Sequence, residues 1–236
     1  MRRATRALLD QIGETDCETI GEGLLAQPAN AISSGAYVLL GIWLVIRAIR
    51  NASTERPTAI AYGVALGAVG IGSIAFHGPM PAGARLVHDL TIAAVFAVIA
   101  ARGIGQLRNW TQAETIAAAA AITGVVGVVM AISPEVGIGL SGVVGLTALL
   151  LEFSIYRSGR RDSMSTSHRR WLIAAFAFLA LAGLANVLGR TDAPLCDPDS
   201  IYQGHAVWHV MTAAAFAVYG WISFDQAALP ARRPGV

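Results

Sequence analysis

Apolar residues fill the chain in long blocks, and short polar stretches separate one block from the next. The blocks predict seven helices, over residues 31–49, 58–77, 84–103, 113–132, 136–156, 169–188 and 203–224. A membrane-spanning helix needs about 20 consecutive, mostly apolar residues, and each block has about that length. The pattern therefore predicts an all-α integral membrane protein with a seven-helix bundle. We expect one domain over 1–236, with an N-terminal segment 1–30, the bundle 31–225 and a tail 226–236.

Composition agrees with this interpretation. The chain is 55% hydrophobic and only 14% charged, whereas a soluble domain carries about 25% charged residues. The net charge is +2, and every basic residue is an arginine at a helix end or in a short loop. Arginines so placed are topology signals, so we do not expect nucleic-acid binding.

The arginines also predict the direction of the bundle. One side holds Arg47, Arg50, Arg56, Arg102, Arg108, Arg157, Arg160, Arg161, Arg169, Arg170, Arg232 and Arg233. The other side holds Arg2, Arg3, Arg6, Arg85 and Arg190. Because positive charge concentrates on the cytoplasmic side of a membrane, the N-terminus is predicted outside and the C-terminus inside. The expected location is a plasma or inner membrane.

Five polar residues interrupt the apolar blocks: Ser73, His77, Asp89, His205 and His209. Ionisable side chains in a membrane are costly and usually functional. The predicted topology, which was derived without them, brings all five to the extracytoplasmic end of their helices. Their common depth favours a single site.

The residue types suggest zinc chemistry. His205 and His209 are four residues apart and share one helix face. With His77 they supply three neutral imidazoles, which leave a catalytic zinc ion one open position for water. Zinc lowers the pKa of that water to about 7. Asp89 is then a candidate general base or an orienting group, and Ser73 a candidate donor to the developing oxyanion.

Structural interpretations compete with each assignment. Trp208 between the two histidines is also typical of the aromatic belt at a membrane interface. Asp89 and Arg85 could form an i,i+4 ion pair at a helix end. Ser73 could serve only in helix packing. His88 fits a supporting or an interfacial position. Other ionisable residues are expected outside the site, in solvent or at helix ends: Glu152, His168, Asp192, Asp197, Asp199 and Asp225.

The two cysteines fall on the same predicted side as the five polar residues. Cys17 precedes the first helix and Cys196 precedes the seventh. Cysteines on an oxidising side of a membrane can form a disulfide. A bond here would tie the N-terminal segment over the seventh helix, and two free thiols are the alternative.

The motifs Ser73-IAF-His77, Asp89 and His205-AVW-His209 resemble the signature of the CREST superfamily of membrane hydrolases. The stretches around Cys17-Glu18 and from Cys196 to QGHAVWH look most like alkaline ceramidases. That resemblance implies a zinc amidase that cleaves the N-acyl bond of ceramide. It implies zinc on His77, His205 and His209, catalytic roles for Asp89 and Ser73, and a Cys17–Cys196 disulfide.

One segment departs from the family pattern. Alkaline ceramidases resemble one another in a calcium-binding Asp-Trp-Cys-Glu-x-Asn segment, and this chain has TDCETI, without the Trp and the Asn. The later family Glu falls on Gln27 or Glu22. A calcium ion could bind here as a second metal only if Asp16, Glu18 and Glu22 supply its oxygen ligands.

The leading hypothesis is a zinc-dependent hydrolase of a lipid amide, whose substrate enters from the bilayer. An ester fits the same chemistry. The alternative is a receptor- or channel-like membrane protein of the adiponectin-receptor or haemolysin-III type, in which zinc is structural or serves signalling. A b-type haem protein is a third hypothesis, which leaves Ser73 and Asp89 without a role.

Overall fold

The computed structural model describes residues 13–51, 53–158 and 166–224, and every regular element in these ranges is a helix. The helices are α1 (Pro28–Ser33), α2 (Gly35–Arg50), α3 (Arg56–His77), α4 (Ala84–Arg108), α5 (Gln112–Ile132), α6 (Pro134–Arg157), α7 (Thr166–Leu188) and α8 (Gly204–Phe224). With α1 and α2 taken as one span, seven stretches are long and apolar enough to cross a membrane. The prediction of an all-α bundle of seven spans is confirmed.

Several of the arginines named above and one aspartate lie outside the described residues. They are Arg2, Arg3, Arg6, Arg160, Arg161, Asp225, Arg232 and Arg233, together with the side chain of His168.

The first span is interrupted where two serine hydroxyls donate to the same backbone carbonyl. The hydroxyls of Ser33 and Ser34 both donate to the carbonyl of Asn30, at 3.0 and 2.7 Å. Serine hydroxyls that bond back to the preceding turn bend helices. The predicted single helix over 31–49 is therefore two helices, and the break directs the serine side chains toward α3 and α8.

The fourth helix extends further than predicted. The apolar pattern ended it at residue 103, but it continues to Arg108 and ends at Asn109 in the left-handed conformation. Thr111 and Glu114 form a capping box that starts α5. The extra turn places Arg102 more than one turn before the end of the helix rather than at its predicted end.

Close packing holds α2, α3 and α8 together. A side chain at Gly41 would come within 2.5 Å of the backbone of Gly67, so small residues let α2 and α3 approach closely. Helix α7 packs mainly on α8. A cavity of about 520 Å³ lies between α7 and α8 on one side and α4 and α6 on the other.

The chain before α1 is tied to the loop before α8 by a disulfide between Cys17 and Cys196, as predicted. Backbone hydrogen bonds from Thr19 to Pro198 and from Gln27 to His77 hold the same segment in place. We call this end of the bundle the disulfide end, and the end at which α2 and α4 finish the opposite end.

Candidate active site

Three histidines meet at the disulfide end. His77 is the last residue of α3, and His205 and His209 face it from the first two turns of α8. Their ring centroids lie 4.4 to 5.2 Å apart, and one nitrogen from each lies within 4.8 Å of the others. In the part of the chain that the structure describes, no other group of three His, Cys, Asp or Glu side chains meets this condition.

Each imidazole donates its Nδ1 proton to an oxygen. His77 Nδ1 lies 2.7 Å from Gln27 Oε1, and His205 Nδ1 lies 2.9 Å from Asn186 Oδ1. His209 Nδ1 lies 2.9 Å from Ser33 Oγ and 3.2 Å from the carbonyl of Asn30. We assign the proton to Nδ1 because amide and carbonyl oxygens can only accept. The lone pair of each ring is then on Nε2.

These Nε2 atoms are the strongest sign of a metal site. The Nε2 atoms of His77 and His205 are buried and have no hydrogen-bond partner among the described residues. His209 Nε2 lies 3.3 Å from the hydroxyl of Ser73. Metal-ligating histidines almost always donate their other ring proton to an oxygen. The donor set therefore fits zinc, which takes three neutral imidazoles in catalytic sites.

Ser73 lies against this group, one turn below His77 on α3. Its side chain is fully buried, and its hydroxyl is 2.8 Å from that of Ser34 and 3.3 Å from His209 Nε2. Since Ser34 donates its own proton to the carbonyl of Asn30, the Ser73 hydroxyl is the donor in this pair.

Asp89 is connected to the histidines only through a neighbour. It accepts from His88 Nδ1 at 2.8 Å and faces Arg85 at 3.8 Å. The ring of His88 stacks on Phe76, and its centroid lies 6.2 Å from that of His77. The structure thus brings four of the five predicted residues into direct contact and adds Asp89 by way of His88.

A second carboxylate, Asp16, lies closer to the histidines. It is buried beside the disulfide, and its Oδ1 is 3.6 Å from His205 Nδ1. Burial raises the pKa of the Asp16 carboxyl above its usual value, although the nearby His88 and Arg190 oppose the rise. From the sequence Asp16 is a candidate only for a cation ligand, because the approach of the N-terminal segment to α8 has no local signal.

The acidic residues considered as calcium ligands do not gather. Both oxygens of Glu18 accept backbone protons of α1, from Ala29 at 2.6 Å and from Asn30 at 2.9 Å. Glu22 is exposed, and Asp16 faces His205. Glu18 therefore caps a helix N-terminus, and these three side chains do not fit a shared calcium ion.

Gln27 occupies the space between the N-terminal segment and His77. Its side chain is fully buried, and its Nε2 donates to the carbonyls of Gly13 and Glu18, at 2.9 Å each. These two bonds fix which end of the amide faces His77. In the sequence Gln27 stands out only as a departure from the family pattern, and no local signal predicts its contact with His77.

The chain also matches a known protein family. The family model described as Ceramidase matches residues 21–228, a region that contains Ser73, Asp89 and the three histidines. No curated protein matches the chain. Because the family match covers most of the sequence, the chain belongs to the ceramidase family.

Proposed function

We propose that this protein is a zinc-dependent intramembrane hydrolase that cleaves a lipid amide into a fatty acid and an amine, as a ceramidase does with ceramide. The observation that carries the proposal is the pair of buried, unpartnered Nε2 atoms on His77 and His205, beside that of His209. A buried polar atom without a partner is costly, so its retention argues for a ligand.

His77, His205 and His209 would hold the zinc ion. Zinc supplies a Lewis acid and a water of lowered pKa at neutral pH. Gln27, Asn186 and Ser33 accept the Nδ1 protons and so keep the three rings in the ligating tautomer. The fixed rings are the contribution of the fold to this chemistry.

Ser73 and the Asp89–His88 pair take the proton-transfer and charge-stabilising roles. The Ser73 hydroxyl, which touches His209 and donates to Ser34 in the structure, is placed to turn its proton toward the substrate oxygen as that oxygen gains negative charge. Asp89 orients His88 through Nδ1, which leaves His88 Nε2 as the proton acceptor of the pair. The same division of labour, a carboxylate holding an imidazole base, serves hydrolases of unrelated folds.

The cavity between α4, α6, α7 and α8 suits an acyl chain. Its walls are mostly apolar, from Val69 and Phe96 to Leu179 and Phe216. It also reaches Tyr37, whose ring packs edge-on against His209 at 6.0 Å. A lipid that enters sideways from the bilayer can place its chain there and its amide at the histidines.

The arginine distribution supports one direction for this bundle. With the positive side in the cytoplasm, the disulfide end faces outward in a plasma or inner membrane. A disulfide at that end is consistent with an oxidising compartment. We propose that the whole chain, 1–236, acts as one domain.

The test is lipid analysis after incubation of purified protein with a membrane lipid extract. We compare the wild type with Asp89→Asn, and with Asp199→Asn as a matched control on the exposed loop. The wild type and Asp199→Asn should release fatty acid and amine. Asp89→Asn should be slower by about 10²- to 10⁴-fold while it retains zinc.

The alternative function makes the opposite prediction. A receptor- or channel-like protein would bind zinc at the same histidines and cleave no lipid amide under any condition. Equal release by Asp89→Asn and the wild type would remove the catalytic role of the Asp89–His88 pair.

A further inference from the structure

Asn30 holds a buried carboxamide that the proposed reaction has not yet used. Its side chain is fully buried, and neither Nδ2 nor Oδ1 has a hydrogen-bond partner among the described residues. An unsatisfied buried polar atom costs about 1–3 kcal/mol, and Asn30 has two. A side-chain amide that is retained at this cost is expected to bind a ligand or to serve another function.

Its position on α1 directs it to the active site. Gln27 is the residue before α1 and Ser34 the residue after it, so Asn30 lies between them along the chain. Gln27 contacts His77, and Ser34 contacts both Ser73 and His209. Asn30 itself contacts the site through its carbonyl, which accepts from His209 Nδ1 at 3.2 Å, so its buried carboxamide belongs to a residue of the histidine cluster.

The backbone of Asn30 does not require the side chain. Its N–H donates to Glu18, and its carbonyl accepts from Ser34 N, from both serine hydroxyls and from His209 Nδ1. Every local structural demand at this position is met by main-chain atoms. The carboxamide is thus available for a molecule that enters the site.

We propose that Asn30 binds the amide group of the substrate and makes the enzyme prefer an amide over an ester. Oδ1 accepts a hydrogen bond from the N–H of the scissile amide, and Nδ2 donates to an oxygen of the same head group. An ester has no N–H and leaves Oδ1 unsatisfied, which selects against it. This inference deepens the proposed function and rests on it for its kinetic test.

The kinetic test uses an N-acyl lipid and its O-acyl isostere with the same two chains. For Asn30→Leu, the ratio of kcat/KM for the amide to that for the ester should fall by about tenfold, which is the value of one lost hydrogen bond. The matched control is Gln203→Leu. Gln203 is an equally buried amide, but its Nε2 donates to the carbonyls of Asp197 and Ser200. That variant should keep the wild-type ratio.

Thermal unfolding of the same variants separates a ligand role from a structural one. Asn30→Leu removes unsatisfied atoms and should leave the Tm unchanged or raise it, whereas Gln203→Leu removes satisfied bonds and should lower it. An unchanged amide-to-ester ratio with active enzyme overturns the inference while the proposed function stands. A lowered Tm for Asn30→Leu overturns it too, because the carboxamide then serves the fold. If the wild type cleaves neither lipid, the proposed function fails, and the Tm result still decides whether Asn30 is structural.

Discussion

Two buried polar clusters, one at each end of the bundle, satisfy their atoms in different ways. At the opposite end Arg102 is 6% exposed. Its Nε donates to Glu55 at 2.6 Å, one terminal nitrogen lies 3.7 Å from Glu152, and the other donates to the carbonyl of Ser223 at 2.8 Å. Tyr219 completes the cluster with a hydrogen bond to Glu152. The charged groups of this cluster are therefore paired with other groups of the protein.

At the disulfide end, some buried polar atoms have no hydrogen-bond partner in the described chain. Two imidazole nitrogens and the carboxamide of Asn30 are buried there without a partner in the described chain. Both clusters place ionisable groups inside an apolar bundle, which by itself suggests function. We infer that the pairing of the ionisable groups separates a structural cluster from a ligand site. Variants at the two ends should therefore fail in different ways.

The largest effect is expected at the disulfide end, from His209→Ala. Hydrolysis of a lipid amide should fall to background, because two imidazoles and water hold zinc poorly. The Tm of the metal-free protein should fall less than that of Arg102→Met, since loss of the buried His209 ring leaves a cavity but no unpaired buried charge. Activity and Tm measured on the same preparation check both statements. Substantial residual activity with bound zinc would exclude His209 as a ligand.

Arg102→Met should produce the reverse pattern at the opposite end. Removal of one partner leaves Glu152 buried without its cation and should lower the stability by roughly 3–5 kcal/mol. Zinc content per folded molecule should remain that of the wild type. Denaturant unfolding and metal analysis provide the two readouts. If zinc were lost in parallel with Arg102, the two clusters would be parts of one unit.

An intermediate effect is expected from Gln27→Met, which supports the site without touching the metal. Loss of the acceptor for His77 Nδ1 should weaken zinc binding by about 10- to 100-fold. Gln203→Met is the control, since its amide has the same two-carbonyl pattern but belongs to the loop of Asp197 and Ser200. Competition with a fluorescent zinc chelator measures both affinities. Equal affinities in the two variants would show that Gln27 has no positioning role.

The smallest effect is expected from Ala175→Phe, a substitution in the cavity wall on α7. The added ring shortens the space for an acyl chain, so kcat/KM should fall more for long-chain than for short-chain substrates. Leu181→Phe on the outer surface of the same helix is the control. A chain-length series assayed with both variants reveals the difference. An identical profile in the two would place the acyl chain elsewhere.

Much of the fold follows from the apolar blocks alone. Seven blocks of spanning length predicted seven spans, because the hydrophobic thickness of a membrane sets the length of a helix. The boundaries failed where side chains override hydropathy. The first span breaks at Ser33 and Ser34, and α4 continues to Arg108 past the predicted end.

The contacts of the site were only partly predictable. Helical spacing paired His205 with His209, and the common depth of the helix ends brought in His77 and Ser73. The same reasoning could not find Gln27, Asn30 or Asn186, because their contacts depend on how the N-terminal segment and α7 pack against the histidines. It also counted Arg102 as a topology signal, although the residue is buried in an ion cluster.

X-ray absorption at the zinc edge on purified, full-length protein tests the central claim most directly. The account predicts one zinc ion per chain with three imidazole nitrogens at about 2.0–2.1 Å, and loss of this signal in the double variant His205→Ala, His209→Ala. A protein purified without zinc, or a double variant whose spectrum matches the wild type, would contradict it.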